Sequence, residues 1–147
     1  MNLNSVDVLL VEDNEDDAKL TIRELKKHKL ANNLVHVKDG RDALDFIFAT
    51  GKYASSRLYL YSPKVVLLDI NMPKVNGIEV LQLIKADPRS RTLPVVILTS
   101  SNNSPDIKRC YELGANSYIV KPVNHEDFSK AIMSLGIYWK LFNQLSG

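Results

Sequence analysis

Four short aliphatic runs, each closed by a polar residue, constrain this chain more than any other feature. The runs are Val8-Leu9-Leu10-Val11, Val65-Val66-Leu67-Leu68, Val95-Val96-Ile97-Leu98 and Tyr118-Ile119-Val120. Their closing residues are Glu12-Asp13, Asp69, Thr99 and Lys121. A stretch that is apolar at every position suits a strand buried on both faces, as in a parallel sheet covered by helices. Amphipathic stretches separate the runs, so strands and helices alternate along the chain. A further strand is expected at Leu34-Val35-His36-Val37, giving five of each element. The 147 residues suffice for one domain with a sizeable core. The expected fold class is α/β: a doubly wound (βα)5 three-layer sandwich around a five-stranded parallel sheet.

Local signals agree with that alternation. Asn14 can cap a first helix whose opening turn, Glu15-Asp16-Asp17, is acidic and whose last turn, Lys26-Lys27-His28-Lys29, is basic, as the helix dipole favours. Asp39-Gly40 is expected as a turn, with a helix from Arg41 to Phe48. A third helix is expected to start at Asn76-Gly77 and end near Asp87-Pro88. Ser104 followed by Pro105 reads as a cap and first helical residue, opening a helix that stops at Gly114. Asn124 with Asp127 three residues later opens the last helix. That helix is expected to extend over about 125–144, and 50–63 is expected as an extended loop.

Open α/β sheets place their ligands beyond the carboxyl ends of the strands. If the aliphatic runs lie side by side, three carboxylates, a hydroxyl and an ammonium converge there. Glu12, Asp13 and Asp69 would repel one another without a counter-charge. A hard dication with oxygen ligands resolves that repulsion, and Mg²⁺ favours one or two carboxylates together with water and phosphate oxygens. Asp69 is the candidate nucleophile. Lys121 can pair with it at rest and with a phosphoryl oxygen after transfer. Thr99 offers a hydroxyl to a further phosphoryl oxygen. Taken singly, each residue has a plainer reading, as a helix cap, a solvated lysine or a strand-end threonine. Their occurrence at four strand ends points to a divalent-cation and phosphoryl site. His28, His36 and His125 show no metal-ligand spacing in the sequence.

With 45% apolar and 24% charged residues, the composition is that of an ordinary globular protein. A net charge of +2 without a basic stripe argues against nucleic acid. No apolar run approaches the ~20 residues of a membrane span. The N-terminus lacks a signal-peptide layout, and the single Cys110 suits a reducing compartment, so a cytoplasmic location is expected.

These motifs closely resemble the receiver domain of two-component response regulators, the flavodoxin-like or CheY-like fold. The resemblance rests on Val11-Glu12-Asp13-Asn14, Leu68-Asp69-Ile70-Asn71-Met72-Pro73 with Gly77, Thr99-Ser100 and Lys121-Pro122, and it spans nearly all of 1–147. It implies that Asp69 accepts a phosphoryl group from a phosphohistidine of a sensor histidine kinase. It implies Mg²⁺ (or Mn²⁺) held by Asp13, Asp69 and the backbone carbonyl of Asn71, with Glu12 acting through metal-bound water. Thr99 and Lys121 would hold phosphoryl oxygens, with Thr99 and Tyr118 as the switch pair. The expected protein is a phosphoacceptor that catalyses only its own phosphorylation and dephosphorylation, rather than an enzyme acting on other substrates. The chain ends a few residues after the last helix, so no effector domain is expected. Output would then be a protein contact or relay to a histidine phosphotransfer protein.

A narrower resemblance links the 50–62 segment and the aromatic run Tyr138-Trp139-Lys140-Leu141-Phe142 to small single-domain regulators paired with bacterial, especially cyanobacterial, phytochrome kinases. In the last helix, Phe128, Ile132, Leu135, Trp139 and Phe142 form one apolar stripe. Met133, Ile137, Leu141 and Leu145 form a second, which suits a homodimer through that helix. Other functions fit less well. A phosphatase of the haloacid dehalogenase type needs an acid two residues after its nucleophile, where this chain has Asn71. A nucleotide-binding module would need a Gly-rich phosphate loop, and neither common pattern occurs. The alternatives that remain are a phosphate-independent receiver-like scaffold and a phosphorelay intermediate without its own output.

Overall fold

The structure is a computed structural model and describes residues 6–30, 33–54, 63–72, 76–100 and 105–136. Five strands form one parallel sheet: β1 (Val8–Val11), β2 (Leu34–Val37), β3 (Val65–Asp69), β4 (Val95–Thr99) and β5 (Ser117–Val120). Their order is β2-β1-β3-β4-β5. Five helices alternate with them: α1 (Glu15–Lys27), α2 (Gly40–Phe48), α3 (Gly77–Ala86), α4 (Pro105–Glu112) and α5 (His125–Ser134). The expected doubly wound sandwich is therefore the observed one.

The aliphatic runs explain the three layers. Successive strand residues face opposite sides, so Leu9 and Val11 join one core while Val8 and Leu10 join the other. The first core packs against Phe46 and Ile47 of α2, Val80 and Ile84 of α3, and Cys110 of α4. The second packs against Leu25 of α1 and Phe128 and Ile132 of α5. Every residue of β1, β3 and β4 is buried. Full burial of one such aliphatic or aromatic side chain contributes about 1.5–3 kcal/mol. The opposite end of the sheet, away from the strands' carboxyl termini, is pinned by buried Asp7, whose Oδ1 lies 3.0 Å from Lys64 Nζ.

Helix starts follow the expected caps. Asn14 accepts from the Asp17 N–H at 2.9 Å, Asn76 from Glu79 at 3.0 Å and Asn124 from Asp127 at 2.8 Å. Asp39 also caps, accepting from Asp42 at 2.8 Å, so α2 begins at Gly40 directly after that cap. Gly114 follows α4 at φ 106°, in the left-handed region where glycine is favoured. Ser104 lies outside the described residues.

Two expectations about irregular regions change. A short 3-10 turn spans Gly51–Tyr53 at the start of the expected 50–63 loop, and Tyr53 packs edge-on against Phe46 at 5.1 Å. Residues 55–62 lie outside the described residues. The last helix does not run unbroken over 125–144: it stops at Ser134, with Leu135 as its cap. Gly136 takes φ 71° and donates its N–H to the Met133 carbonyl at 3.2 Å, a left-handed helix stop. Of the two apolar stripes, Phe128 and Ile132 are buried, Leu135 is partly buried and Met133 is 64% exposed. Their continuations at Ile137, Trp139, Leu141, Phe142 and Leu145 lie outside the described residues.

Candidate functional site

The sheet order places a topological switch between β1 and β3. From β1 the chain moves outward to β2, then crosses back to β3 on the other side. A crevice opens at the carboxyl ends of such a strand pair. Register does the rest: Val11 of β1 is level with Leu68 of β3, so Glu12-Asp13 and Asp69 emerge together. Ligand oxygens of Glu12, Asp13 and Asp69 all lie within 4.8 Å of one another. Thr99 ends β4 one position beyond Leu98, the partner of Asp69. Lys121 follows β5, and its N–H donates to the Thr99 carbonyl at 2.8 Å. The Lys121–Pro122 peptide is cis.

Lys121 is the hub. Its Nζ lies 2.8 Å from Glu12 Oε1, 3.3 Å from Asp69 Oδ2 and 3.4 Å from Asp17 Oδ2. The expected Lys121–Asp69 pair is thus present, but the shortest contact is to Glu12. Asp17, read from the sequence only as part of an acidic helix start, is a third partner. It stands one turn into α1, and nothing in its spacing links it to a residue 104 positions later. Burial alone would lower the Lys121 pKa, but the adjacent Glu12 and Asp69 carboxylates outweigh it, and the pKa is raised.

The carboxylates are held differently. Asp69 is buried, and its Oδ1 accepts the Asn71 N–H at 3.0 Å, leaving Oδ2 toward Lys121. Glu12 is buried, and its Oε2 accepts the Asn14 N–H at 3.3 Å. Its Oε1 sits beside the lysine without hydrogen-bond alignment. Burial, then the adjacent Asp69 carboxylate, push the Glu12 pKa up to about 7, against the opposing pull of Lys121. His36, given no role from the sequence, has its Nε2 2.8 Å from the Glu12 carbonyl and so braces this strand end.

Gly77 makes the crevice possible. A Cβ there would lie 2.4 Å from the Asp69 carbonyl oxygen and 2.5 Å from Ile70 Cα, so α3 can approach the Asp69 backbone only without a side chain. At the other edge, Thr99 is buried and Tyr118 is half-buried. The Tyr118 ring packs against the first core and stands edge-on to Tyr111 of α4 at 6.2 Å.

The geometry brings together Glu12, Asp13, Asp69 and Lys121 as expected, with Asn71 at the rim and Thr99 at the adjacent strand end. The donor set suits a hard dication. It consists of convergent carboxylate oxygens, one of them buried without a hydrogen bond, with four carboxylates around one ammonium among the described residues.

A family model described as the response regulator receiver domain matches residues 8–133. The chain belongs to the response regulator receiver family. This receiver domain is similar to the response regulator Rcp1 of Synechocystis sp., with 37% identity over 132 residues covering 90% of this chain and 87% of that one. The Mn²⁺-bound form of Rcp1 aligns with a TM-score of 0.71 and 38% identity over 93% of this chain and 95% of that one. The bacteriophytochrome response regulator AtBRR aligns with a TM-score of 0.84 and 48% identity, over 95% of this chain and 99% of that one. A probable methanogenesis regulatory protein, FilR2 of Methanothrix harundinacea, is 36% identical over 140 residues, covering 95% of this chain and 87% of that one. Receiver domains bind Mg²⁺ or Mn²⁺ at their acidic pocket and are typically phosphorylated on an aspartate. Among the described residues no helix is long and apolar enough to cross a membrane.

Proposed function

We propose that this receiver domain accepts a phosphoryl group on Asp69 in a Mg²⁺-dependent reaction and thereby switches a protein-binding surface. The observation that carries the reading is the single crevice holding Glu12, Asp13 and Asp69 around the Lys121 ammonium. Asp13, Asp69 and the Asn71 carbonyl would hold the metal, with Glu12 acting through its water. The bound ion supplies positive charge that offsets the carboxylates and the incoming phosphoryl oxygens.

The chain's own residues do the positioning. The Asn71 N–H holds Asp69 Oδ1, leaving Oδ2 toward the crevice as the attacking atom. An oxygen–phosphorus bond forms there as the donor's phosphorus–nitrogen bond breaks, and the histidine leaves with the nitrogen electron pair. Lys121 then exchanges its pairing with Asp69 for a phosphoryl oxygen, and Thr99 binds another. Phosphoryl transfer needs such positioning and charge neutralisation more than acid–base help. In this reading the domain catalyses its own phosphorylation and, by attack of water on the Asp69 phosphate with release of inorganic phosphate, its own dephosphorylation. Drawing Thr99 toward the phosphate frees space beside β5, and Tyr118 with α4 follows.

The donor in this reading is a cytoplasmic sensor histidine kinase of the phytochrome type. The bacteriophytochrome response regulator AtBRR, 48% identical to this chain, supports that assignment. A homodimer through the last helix belongs to the same reading, supported by the exposed Met133 on α5. Intact-mass spectrometry with a small-molecule phosphodonor tests the core of it. A single phosphate adduct is expected with Mg²⁺ and none with chelator. An adduct indifferent to Mg²⁺ would refute the metal-dependent mechanism.

A further inference from the structure

A second cluster of ligand-type side chains lies away from the acidic pocket, on the seam between the end of α1 and the start of α5. Ligand atoms of Glu24, His28 and His125 lie within 4.8 Å of one another. Glu24 and His28 are one helical turn apart and share a face of α1, while His125 opens α5. Glu24 Oε2 accepts the His125 backbone N–H at 3.0 Å and lies 2.8 Å from His125 Nδ1 and 3.7 Å from His28 Nε2. The two imidazoles stack with centroids 3.7 Å apart and planes 18° from parallel. Glu126 Oε1 lies 4.0 Å from His125 Nε2. The sequence concealed this grouping because Glu24 and His125 are 101 residues apart.

Two imidazoles and a carboxylate form the donor set of a three-ligand zinc site with a fourth position open to water. With the rings turned out of their stack, a divalent ion would take one lone pair from each ring and the carboxylate together. The side chains of Glu24, His28 and His125 are 27%, 33% and 38% exposed, so an ion can reach them and the rings can turn onto it. The helices beneath are anchored by buried Leu25 and Phe128. His28 also caps the carbonyl end of α1, where a cation is favoured.

We propose that Glu24, His28 and His125 form a second metal site, taking Zn²⁺ or a similar borderline transition ion, that clamps α1 to α5. Its nitrogen donors set it apart from the oxygen-lined pocket, which suits a hard ion. The clamp ties the segment following Lys121 to the helix that carries Asp17, so both chain segments around the lysine are held by it. This proposal stands apart from the phosphoacceptor reading, and neither depends on the other.

Competition titration of Zn²⁺ against a chromogenic chelator tests it on the full chain. The panel is wild type, Asp13→Asn, His28→Gln and His125→Gln, each checked for folding by circular dichroism. One equivalent should bind to wild type and equally to Asp13→Asn. Changes outside the ligand sphere already weaken metal sites by ~10–100-fold, so losing His28 or His125 should weaken binding at least about tenfold. Co²⁺ should give a visible absorption band that both histidine variants lose. Should His125→Gln fail to fold, His28→Gln alone decides, because that ring is exposed at a helix end. Zinc binding that survives in the histidine variants and disappears in Asp13→Asn would place the ion in the acidic pocket and overturn the proposal. Absence of stoichiometric binding to wild type at micromolar zinc would overturn it too.

Discussion

Glu12 should make the metal-free protein lose stability as pH rises from about 4.5 to about 7, and Glu12→Gln should remove that contribution. In the folded state burial and Asp69 push its pKa up to about 7, against an ordinary value of 4.5. Between those values the folded protein holds a proton that the unfolded chain has released. Folding therefore takes up a proton in that window, and stability falls as pH rises from about 4.5 to about 7, then levels off. A gap of about 2.5 in pKa corresponds to about 3 kcal/mol at 1.36 kcal/mol for each pH step. For a domain of this size that is ~6–12 °C in Tm. The assay is urea and thermal unfolding in chelator across pH 4.5–8 for both proteins. Other titrating groups contribute to each curve, so the quantity to read is the difference between them. That difference should shift by about 3 kcal/mol in favour of Glu12→Gln toward high pH. Parallel curves across the whole range would refute the claim that Glu12 is held against ionisation by its surroundings.

Mg²⁺ should raise the Tm of wild type at pH 8, by about 2.7 kcal/mol of stability when the ion is present at 100 times its Kd, and Asp13→Asn should lose the effect. Gly77→Ala should destabilise the fold by about 1–3 kcal/mol, because the added Cβ meets backbone that cannot swing aside; chemical denaturation with an unchanged midpoint would contradict the close approach at Asp69. Thr99→Ala should still take up phosphate but lose the change around Tyr118, read by NMR shifts at Tyr118 and α4 with and without phosphate. Lys121→Ala should stay folded yet fail to convert phosphorylation into that change. An unfolded Lys121→Ala would instead assign the lysine a structural role in neutralising the carboxylates.

Much of this was legible in the sequence because the informative signals are local. A run such as Val65-Val66-Leu67-Leu68 can be buried on both faces only in a covered parallel sheet, and each polar residue that follows must emerge at its carboxyl end. Helix caps at Asn14, Asn76 and Asn124 are likewise set by their immediate neighbours. What stayed hidden depends on partners distant in the chain or on competing local signals. Asp17 and His36 acquire their roles only once Lys121 and Glu12 are folded beside them. The Glu24–His28–His125 cluster joins two helices from opposite ends of the chain. At the last helix an apolar repeat continuing past 136 argued for one long helix, whereas Gly136 at φ 71° ends it. The glycine prevails because only the backbone, not the side-chain pattern, decides whether the next hydrogen bond can form.

The phosphoryl group is expected on Asp69. Borohydride reduction of the phosphorylated protein converts an aspartyl phosphate to homoserine, which peptide mass spectrometry then locates. Conversion is expected at residue 69 alone, with none in Asp69→Asn. Homoserine at residue 13, the corresponding reduced glutamate (5-hydroxynorvaline) at residue 12, or phosphate uptake undiminished in Asp69→Asn, would overturn the assignment.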